Sequence, residues 1–293
     1  MITRLLTQPA PSEGYWQGQH QGAHTLRWLG TAGFVLEHEQ KTLVFDPFVS
    51  RPGLLRVALG KLPPNETLIA QEIPRADDVL VGHSHYDHAM DAPPLCKQTG
   101  ATLWGSESTA NIARAYGLPE SQIRVVEPNV QVELTHGRAL PLPSQHGRVY
   151  FNKVTNPGII GKPPPWPPKN RHLKHGQVFT WWVNWGGLKI VHVDSADYRT
   201  ELLQGLQADV VCLCAIGRKY RPGYTAEILK ALKPKLVVPC HWEMFFDPLG
   251  SPTRCLPGVD LPGFLKEIKD CGHEACLLPV GGSLGLDGDF LSP

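Results

Sequence analysis

The chain has 293 residues, of which 42% are hydrophobic, and its 28 Lys and Arg residues nearly balance 27 Asp and Glu residues. This composition is typical of a globular protein with a substantial core. The net charge of +1 gives no sign that the chain as a whole binds nucleic acid or an anionic membrane. No apolar run approaches the length of a transmembrane helix, and the opening "MITRLLTQPA" lacks the apolar core of a signal peptide. We therefore expect a cytoplasmic protein.

Ten short runs rich in β-branched and aromatic residues, each closed by turn-forming residues, predict β-strands. They cover residues 25–30, 33–38, 42–46, 78–82, 101–105, 123–128, 177–185, 188–194, 209–215 and 235–241. The first three runs are separated by tight turns and predict a β-meander. Cys212 and Cys214 lie inside the run 209–215 and are predicted to be buried core thiols of a protein in a reducing compartment.

Four segments with helical periodicity lie between or after these strands, at 106–117, 198–206, 225–233 and 262–272. The second half of the chain alternates strand and helix, which is the pattern of βα units. No polar linker divides the chain. We therefore predict one α/β domain over residues 1–293, in which two sheets pack together with helices outside.

The segment "HSHYDH" (83–88) directly follows the predicted strand 78–82 and concentrates four potential metal ligands within six residues. His83 and His85 are two positions apart, so on an extended chain their imidazoles point the same way. Asp87 and His88 follow where the chain is predicted to enter a helix. Imidazole and carboxylate groups suit zinc, manganese or iron, and this many can serve two neighbouring ions.

The same segment resembles the H-x-H-x-D-H signature of the metallo-β-lactamase superfamily, and three further motifs follow in that family's order. They are His146 in "PSQHG", Asp194 in "IVHVDSADY" and His241 in "VVPCHW". The resemblance spans nearly the whole chain and implies a four-layer αββα sandwich of two mixed sheets packed face to face with helices outside. "WLGTAGFVLE" and "VFDPFVSRPG" look most like the branch with L-ascorbate-6-phosphate lactonase and N-acyl-phosphatidylethanolamine-hydrolysing phospholipase D. One departure is Val193, where many relatives have glycine before the aspartate.

The resemblance also implies a role for each of these residues. One ion would be bound by His83, His85 and His146, the other by Asp87, His88 and His241, and Asp194 would bridge the two. Asp46 resembles an inner aspartate that accepts a hydrogen bond from a ligating imidazole, although a turn-forming role before Pro47 is the alternative. Asp91 has either a similar supporting role or an ordinary place in a helix.

Two such ions imply a hydrolytic mechanism. A water held between them would lose a proton near neutral pH, and the resulting hydroxide would attack a carbonyl carbon or a phosphorus atom. Asp87 and His88 are the residues that we assign to catalysis. The ligand set favours zinc, with manganese or iron as alternatives. No Ser or Cys nucleophile is required, and no G-x-S-x-G motif occurs.

Two basic segments suggest an anionic substrate. Residues 147–176, which follow His146, contain six Lys or Arg residues and no acid, and "GRKYRPG" (217–223) follows another predicted strand end. Positive charge at the rim of a site attracts anions and binds them through charge-assisted hydrogen bonds. The candidate substrate-binding residues are Trp166, Lys169, Arg171, Arg218, Lys219 and Arg221. The alternatives are a solvated loop with incidental charge and, for Trp166, a packing anchor.

The leading hypothesis is a binuclear metal hydrolase acting on a small anionic ester, such as a phosphodiester or a phosphorylated lactone. The alternatives are an RNA-processing nuclease like ribonuclease Z, a diiron oxidoreductase and an inactive binding protein. We expect no nucleic-acid partner, and a homo-oligomer is compatible with the sequence. The remaining candidates are predicted to be structural or at the surface: His20, His24, His38, His136, His192, Cys240 and His273.

Overall fold

The computed structural model describes residues 14–287 and contains two mixed β-sheets. The first sheet has seven strands in the order β13-β1-β2-β3-β4-β5-β6. Their bounds are His24–Gly30 (β1), Gly33–His38 (β2), Lys41–Phe45 (β3), Asp78–Leu80 (β4), Thr102–Gly105 (β5), Ile123–Val125 (β6) and Ser283–Leu286 (β13). Strands β1 to β3 form the predicted antiparallel meander, and β3 to β6 are parallel.

The second sheet has six strands in the order β12-β11-β10-β9-β8-β7. Their bounds are Val132–Leu134 (β7), Gly137–Pro143 (β8), Phe179–Trp185 (β9), Leu188–Val193 (β10), Val210–Cys214 (β11) and Leu236–Cys240 (β12). Strands β10, β11 and β12 are parallel, whereas β7, β8, β9 and β10 pair antiparallel in succession.

Seven α-helices accompany the sheets within residues 14–287. They are Leu54–Leu59 (α1), Glu66–Glu72 (α2), Tyr86–Ala89 (α3), Ala92–Thr99 (α4), Glu107–Tyr116 (α5), Tyr224–Leu232 (α6) and Leu261–Asp270 (α7). Helices α1 to α5 share a buried cluster with the first sheet, and α6 and α7 share another with the second sheet. No helix in the described residues is both long and apolar enough to cross a bilayer.

Strand alternation separates the layers of the core. In β3, Leu43 and Phe45 join the cluster that contains the strands of the second sheet, whereas Val44 joins the cluster beneath α1 to α5. Trp181 and Trp185 of β9 are fully buried in the first of these clusters. The predicted sandwich of two mixed sheets with helices outside is confirmed.

The predicted strands all occur, but the helix predicted at 198–206 is wrong. Only a single 3-10 turn forms there, at Thr200–Leu202, because Gly205 adopts a left-handed conformation (φ 78°) and ends any regular helix. Strands β7, β8 and β13 and helices α1, α2 and α4 were not predicted. In β8, Pro141 and Pro143 obscure the strand pattern, and α4 begins with two prolines.

Candidate metal centre

The predicted ligands meet because several strands end at the same edge of the sandwich. His83 and His85 follow β4, Asp194 follows β10 and His241 follows β12. His146 enters from the segment after β8. The carboxyl ends of neighbouring parallel strands lie side by side, and the two sheets face each other, so residues far apart in sequence converge there.

The first half of the centre is built around His83. Its Nδ1 lies 2.5 Å from Asp194 Oδ2, and its Nε2 lies 3.0 Å from Nδ1 of His85. The His146 ring lies at right angles to both imidazoles, with centroid distances of 4.8 and 4.7 Å. The donor atoms of the three histidines all lie within 4.8 Å of one another, close enough to share one ion.

The second half contains Asp87, His88 and His241. Asp87 Oδ2 lies 3.5 Å from His241 Nε2 and 3.8 Å from His88 Nε2. Asp194 Oδ2 lies 3.8 Å from Nδ1 of His88, so this carboxylate approaches both halves. The structure thus brings all seven predicted ligands together, in two neighbouring groups connected by Asp194.

Burial keeps the imidazoles of the centre in the form that binds metals. It lowers the pKa of His83 and of His88 well below the usual value, and the neighbouring histidines add to the effect. Burial also lowers the pKa of His146, to about 3. A neutral imidazole has the free lone pair that coordination requires. These histidines are therefore ready to bind metal at neutral pH.

The carboxylates complete a donor set that fits divalent transition-metal ions. Burial opposes ionisation of Asp87, but the hydrogen bond from His241 helps to hold the Asp87 pKa below the usual value. His241 Nδ1 is buried and has no hydrogen-bond partner. Neutral imidazoles combined with carboxylates at a buried strand end match the preferences of zinc, manganese and iron.

Asp46 lies where it can orient a ligand. Its Oδ2 accepts a hydrogen bond from His88 Nδ1 at 2.8 Å, and its Oδ1 accepts one from the Gly82 backbone N–H at 2.7 Å. Because Nδ1 donates to this carboxylate, the lone pair of His88 is on Nε2, which faces Asp87. Asp46 has a positive φ of 40°, as expected for the turn that follows β3.

Asp91 contacts a different part of the molecule. Its carboxylate accepts hydrogen bonds from the backbone N–H groups of Val49 and Ser50, at 2.7 and 2.8 Å, and from the Ser50 hydroxyl at 2.6 Å. None of these partners is a predicted ligand. Asp91 therefore fixes the loop after β3. One of its two expected roles was to support a metal ligand, and no such contact is observed.

A buried ion pair that the sequence did not reveal supports His241. Arg51 and Glu243 pair at 2.5 Å, with side chains only 4% and 2% exposed. Glu243 also accepts hydrogen bonds from the Thr31 backbone N–H at 2.9 and 3.1 Å, and the Thr31 carbonyl accepts one from the His241 N–H at 2.7 Å. His241 has a positive φ of 54°, and this chain of contacts holds it there.

The predicted ligands line a cavity of about 330 Å³. Its other walls are largely apolar and come from α1, from α3, from the loop after β11 and from the segments that follow His146 and His241. They include Leu54, Val57, Ala58, Tyr86, Val149, Tyr150, Ile216, Phe245 and Phe246. No Lys or Arg is among the described residues that line it. The cavity accommodates a small organic group beside the metal ligands.

The basic segment 147–176 borders this cavity, but its charged residues lie to one side. Thr155, Asn156 and Asn170 line both the cavity and an adjacent depression, and Lys169 and Arg171 line only the depression. Trp166 packs against Tyr116 with ring centroids 5.2 Å apart. This contact fits its alternative role as a packing anchor.

The second basic segment uses its charges elsewhere. Arg218 is buried and lies 3.5 Å from Asp260 and 3.3 Å from Glu267. Arg221 pairs with Asp197 at 2.9 Å and with Glu227 at 3.0 Å. Lys219 shares a separate depression with both arginines. None of the three residues lines the metal-ligand cavity, and acidic side chains already pair with the two guanidinium groups.

Other sequence candidates have the expected surroundings. His192 is fully buried and lies 2.8 Å from the Ala32 carbonyl oxygen through Nε2, and Cys212, Cys214 and Cys240 are buried free thiols. One neighbour of the centre was missed. His175 lies 5.8 Å from the His146 ring, stacked upon it. It lies in the segment 147–176, in which only Lys, Arg and Trp residues were predicted to contact a substrate.

Comparisons with known proteins agree with this geometry. A family model described as the beta-lactamase superfamily domain matches residues 25–241, a range that contains all seven predicted ligands. A UPF0173 metal-dependent hydrolase of Pyrobaculum arsenaticum is 26% identical over 225 residues, which cover 75% of this chain and 84% of the relative.

Two solved structures share the fold. A metallo hydrolase from the archaeon Ignicoccus hospitalis has a TM-score of 0.57 and 16% identity, covering 89% of this chain and 97% of its own. A diiron β-hydroxylase of Streptomyces venezuelae has a TM-score of 0.58 and 17% identity, covering 92% of this chain but 55% of its own. The family model covers most of the chain, and the fold and the order of the motifs agree with it. The protein is a member of the beta-lactamase superfamily.

Proposed function

We propose that this protein is a metal-dependent hydrolase with a binuclear centre. The observation that supports this most strongly is the convergence of seven donors in two groups, which Asp194 connects by grouping with His83 of one and His88 of the other. His83, His85 and His146 would hold one ion, Asp87, His88 and His241 the other, and Asp194 both. The names of the relatives, metal-dependent hydrolase and metallo hydrolase, support the same activity.

The chain's own residues prepare the site for hydrolysis. When bound, divalent ions would polarise a carbonyl or phosphoryl group and lower the pKa of a water molecule. Asp46 fixes the ring orientation of His88 through a 2.8 Å hydrogen bond. Glu243 fixes the backbone of Thr31, whose carbonyl accepts a hydrogen bond from the His241 N–H. The apolar cavity walls limit the access of bulk water.

The proposed substrate is a small ester. A cavity of about 330 Å³ accepts a group of drug-fragment size, and its apolar walls fit the uncharged part of such a molecule. A polynucleotide would need a basic groove along its backbone, so the cavity does not favour a nuclease. The anionic group expected from the sequence would lie in the adjacent depression, beside Lys169 and Arg171.

The anionic part of this proposal predicts a selective change in affinity. Replacing Lys169 and Arg171 by alanine should raise the KM for an anionic ester about threefold, the size expected for exposed charges, and leave a neutral ester unaffected. Lys153→Ala with Lys162→Ala is the matched control, because both lysines are exposed, belong to the same segment and line neither cavity nor depression. Equal changes for both esters would count against an anionic substrate.

The proposed activity is tested by metal quantification combined with a panel of carboxylic esters, lactones and phosphodiesters. Purified protein should contain zinc, manganese or iron and hydrolyse at least one class. His83→Ala with Asp87→Ala should lower kcat/KM by about 10³-fold, because Lewis-acid stabilisation amounts to several kcal/mol. A metal-free protein with unchanged activity in this variant would overturn the proposal.

A cytoplasmic location belongs to the same proposal. All seven cysteines are free thiols, and six of them are buried. Free thiols persist in a reducing compartment, where disulfide formation is disfavoured. The location can be tested by fractionating cells that produce the protein.

A further inference from the structure

A second histidine cluster lies at the opposite end of the sandwich from the metal centre. It consists of His38, at the end of β2, His136, between β7 and β8, and Glu39, in the β2–β3 turn. Strands β3 and β10 start at this end and finish at the metal centre. They have five and six residues, so the two clusters are about 15–20 Å apart.

The two histidines face each other across the interface between the sheets. His38 Nδ1 and His136 Nε2 are 2.7 Å apart, so one ring must donate a hydrogen bond to the other. Glu39 Oε2 lies 4.0 Å from the same His136 nitrogen. Its side chain is 72% exposed and can move closer at little cost. Two imidazoles and a carboxylate thus present three donor atoms within 4.8 Å of one another.

Neighbouring rings fix the position of these donors. His24 is fully buried and stacks on His38 at 3.9 Å with an interplanar angle of 9°. The Nε2 of His24 lies 3.0 Å from the Trp185 carbonyl oxygen, and the edge of the His136 ring meets the Trp185 ring at 5.3 Å. Burial lowers the pKa of His38, which keeps its ring neutral near pH 7. Parallel stacked rings direct their lone pairs into separate planes, so His24 supports the cluster without joining it.

A glycine packs tightly against the two facing nitrogens. Gly186 lies in the β9–β10 turn with φ 55°, and its N–H donates to the His136 carbonyl. A Cβ atom at Gly186 would lie 2.3 Å from His38 Nδ1 and 2.8 Å from His136 Nε2. Both distances are shorter than ordinary Cβ contacts, so a side chain at Gly186 would push the two nitrogens out of position. The next residue, Gly187, also has a positive φ, 93°, but a Cβ there would meet no atom within 4 Å.

We propose that His38, His136 and Glu39 form an auxiliary site for a first-row transition-metal ion, of which Zn²⁺ is the probe. The ion would lie between the two imidazole nitrogens and the Glu39 carboxylate, in place of the hydrogen bond. The imidazole that donates this bond would carry its proton on its other ring nitrogen instead, by exchange with solvent, so that both rings bind the ion in the neutral form. Zinc bonds to imidazole nitrogen at ~2.0–2.1 Å, and tetrahedral geometry then sets the two nitrogens ~3.3 Å apart, so the rings need to separate by ~0.6 Å and turn until both lone pairs point at the ion. Water would complete the coordination.

Such an ion would connect the two sheets at the end remote from the metal centre. His38 belongs to the first sheet, and His136 lies in a turn of the second. An ion bound to both would oppose separation of the sheets, so the folded state should gain stability as zinc binds. This inference does not depend on the proposed hydrolase activity.

Zinc stoichiometry tests the site. Metal-free wild-type protein and variants are equilibrated with micromolar free Zn²⁺, and bound zinc is measured by mass spectrometry. Gly186→Ala should bind one ion fewer than wild type, because its methyl group would lie 2.3 and 2.8 Å from the two donor nitrogens and push them out of position. Gly187→Ala is the matched control, because it imposes similar backbone strain in the same turn without contacting the donors, and it should bind as much zinc as wild type.

His136→Gln gives a second test that is independent of the turn. It should also bind one ion fewer, and the zinc-induced rise in melting temperature should be smaller than in wild type. This variant carries the test alone if Gly186→Ala does not fold. Equal stoichiometry for His136→Gln and wild type, or loss of one ion in Gly187→Ala, would overturn the proposal.

Discussion

The two ends of the sandwich both collect histidines, but in different surroundings. At the metal centre, His83 and His88 are 1% exposed and follow the carboxyl end of a strand in the first sheet. At the other end, His38 and His136 lie in or next to hairpin turns and remain partly exposed. Burial and convergence of many donors create a reactive site, whereas two facing rings at a turn create at most a simple binding site. Perturbing each end separately tests this difference.

The largest expected effect is at the residue shared by both halves of the metal centre. Asp194→Ala should reduce kcat/KM by about 10³-fold or more, because the proposed binuclear centre would lose the carboxylate that its two ion sites share. The variant should still bind zinc at the other end of the sandwich. Kinetics on the most active ester, together with zinc stoichiometry, will measure both quantities. Full activity in Asp194→Ala would show that this carboxylate is not a ligand.

A smaller effect should distinguish two buried carboxylates near the centre. Asp46→Asn should lower metal affinity about 10–100-fold, because Asp46 orients His88. Asparagine tolerates the positive φ at this position, so the backbone is preserved. Asp91→Asn should leave metal affinity unchanged and lower the free energy of unfolding, because its partners are Val49 and Ser50. Competition with a chelator measures affinity, and urea titration measures stability; identical metal affinities of the two variants would contradict these roles.

The pH dependence of stability should also separate the two ends. Burial lowers the pKa of His88 in the folded, metal-free protein. In the unfolded chain the same imidazole has a pKa of about 6.5. The free energy of unfolding should therefore fall as the pH drops below 6.5, by about 1.4 kcal/mol per pH unit for each such imidazole. His88→Asn should reduce this slope by close to one proton, and His38→Gln by less, because His38 is partly exposed. Urea titrations between pH 7 and pH 5 measure the slopes, and an unchanged slope in His88→Asn would contradict this explanation.

The grouping of the predicted ligands was easier to predict from the sequence than their surroundings. The motif 83–88 could be recognised because it places four donors after a predicted strand, and its three distant partners because they resemble the motifs of the metallo-β-lactamase superfamily in that family's order. The roles of Arg218 and Arg221 could not, because their acidic partners are up to 49 residues away and are set by packing of α6 and α7. The pairing of His38 with His136 joins residues 98 positions apart in different sheets. Contacts of this kind depend on strand register and sheet packing, which periodicity does not encode.

The fold shows the same division between local and long-range information. The meander β1 to β3 and the parallel strands were predictable, because each lies in a short run rich in β-branched and aromatic residues between turns. Strand β8 contains two prolines and was hidden, yet β7 and β9 pair with it on both sides. The segment 198–206 has helical periodicity, but Tyr198 and Leu203 are buried through turns instead.

The most direct test of the central claim is the rate of ester hydrolysis by metal-stripped wild-type protein as Zn²⁺, Mn²⁺ or Fe²⁺ is added back. The convergence of seven ligands predicts that the stripped protein is inactive and that activity returns as the metal centre fills. Hydrolysis at the full rate by protein shown to contain no metal would contradict the account.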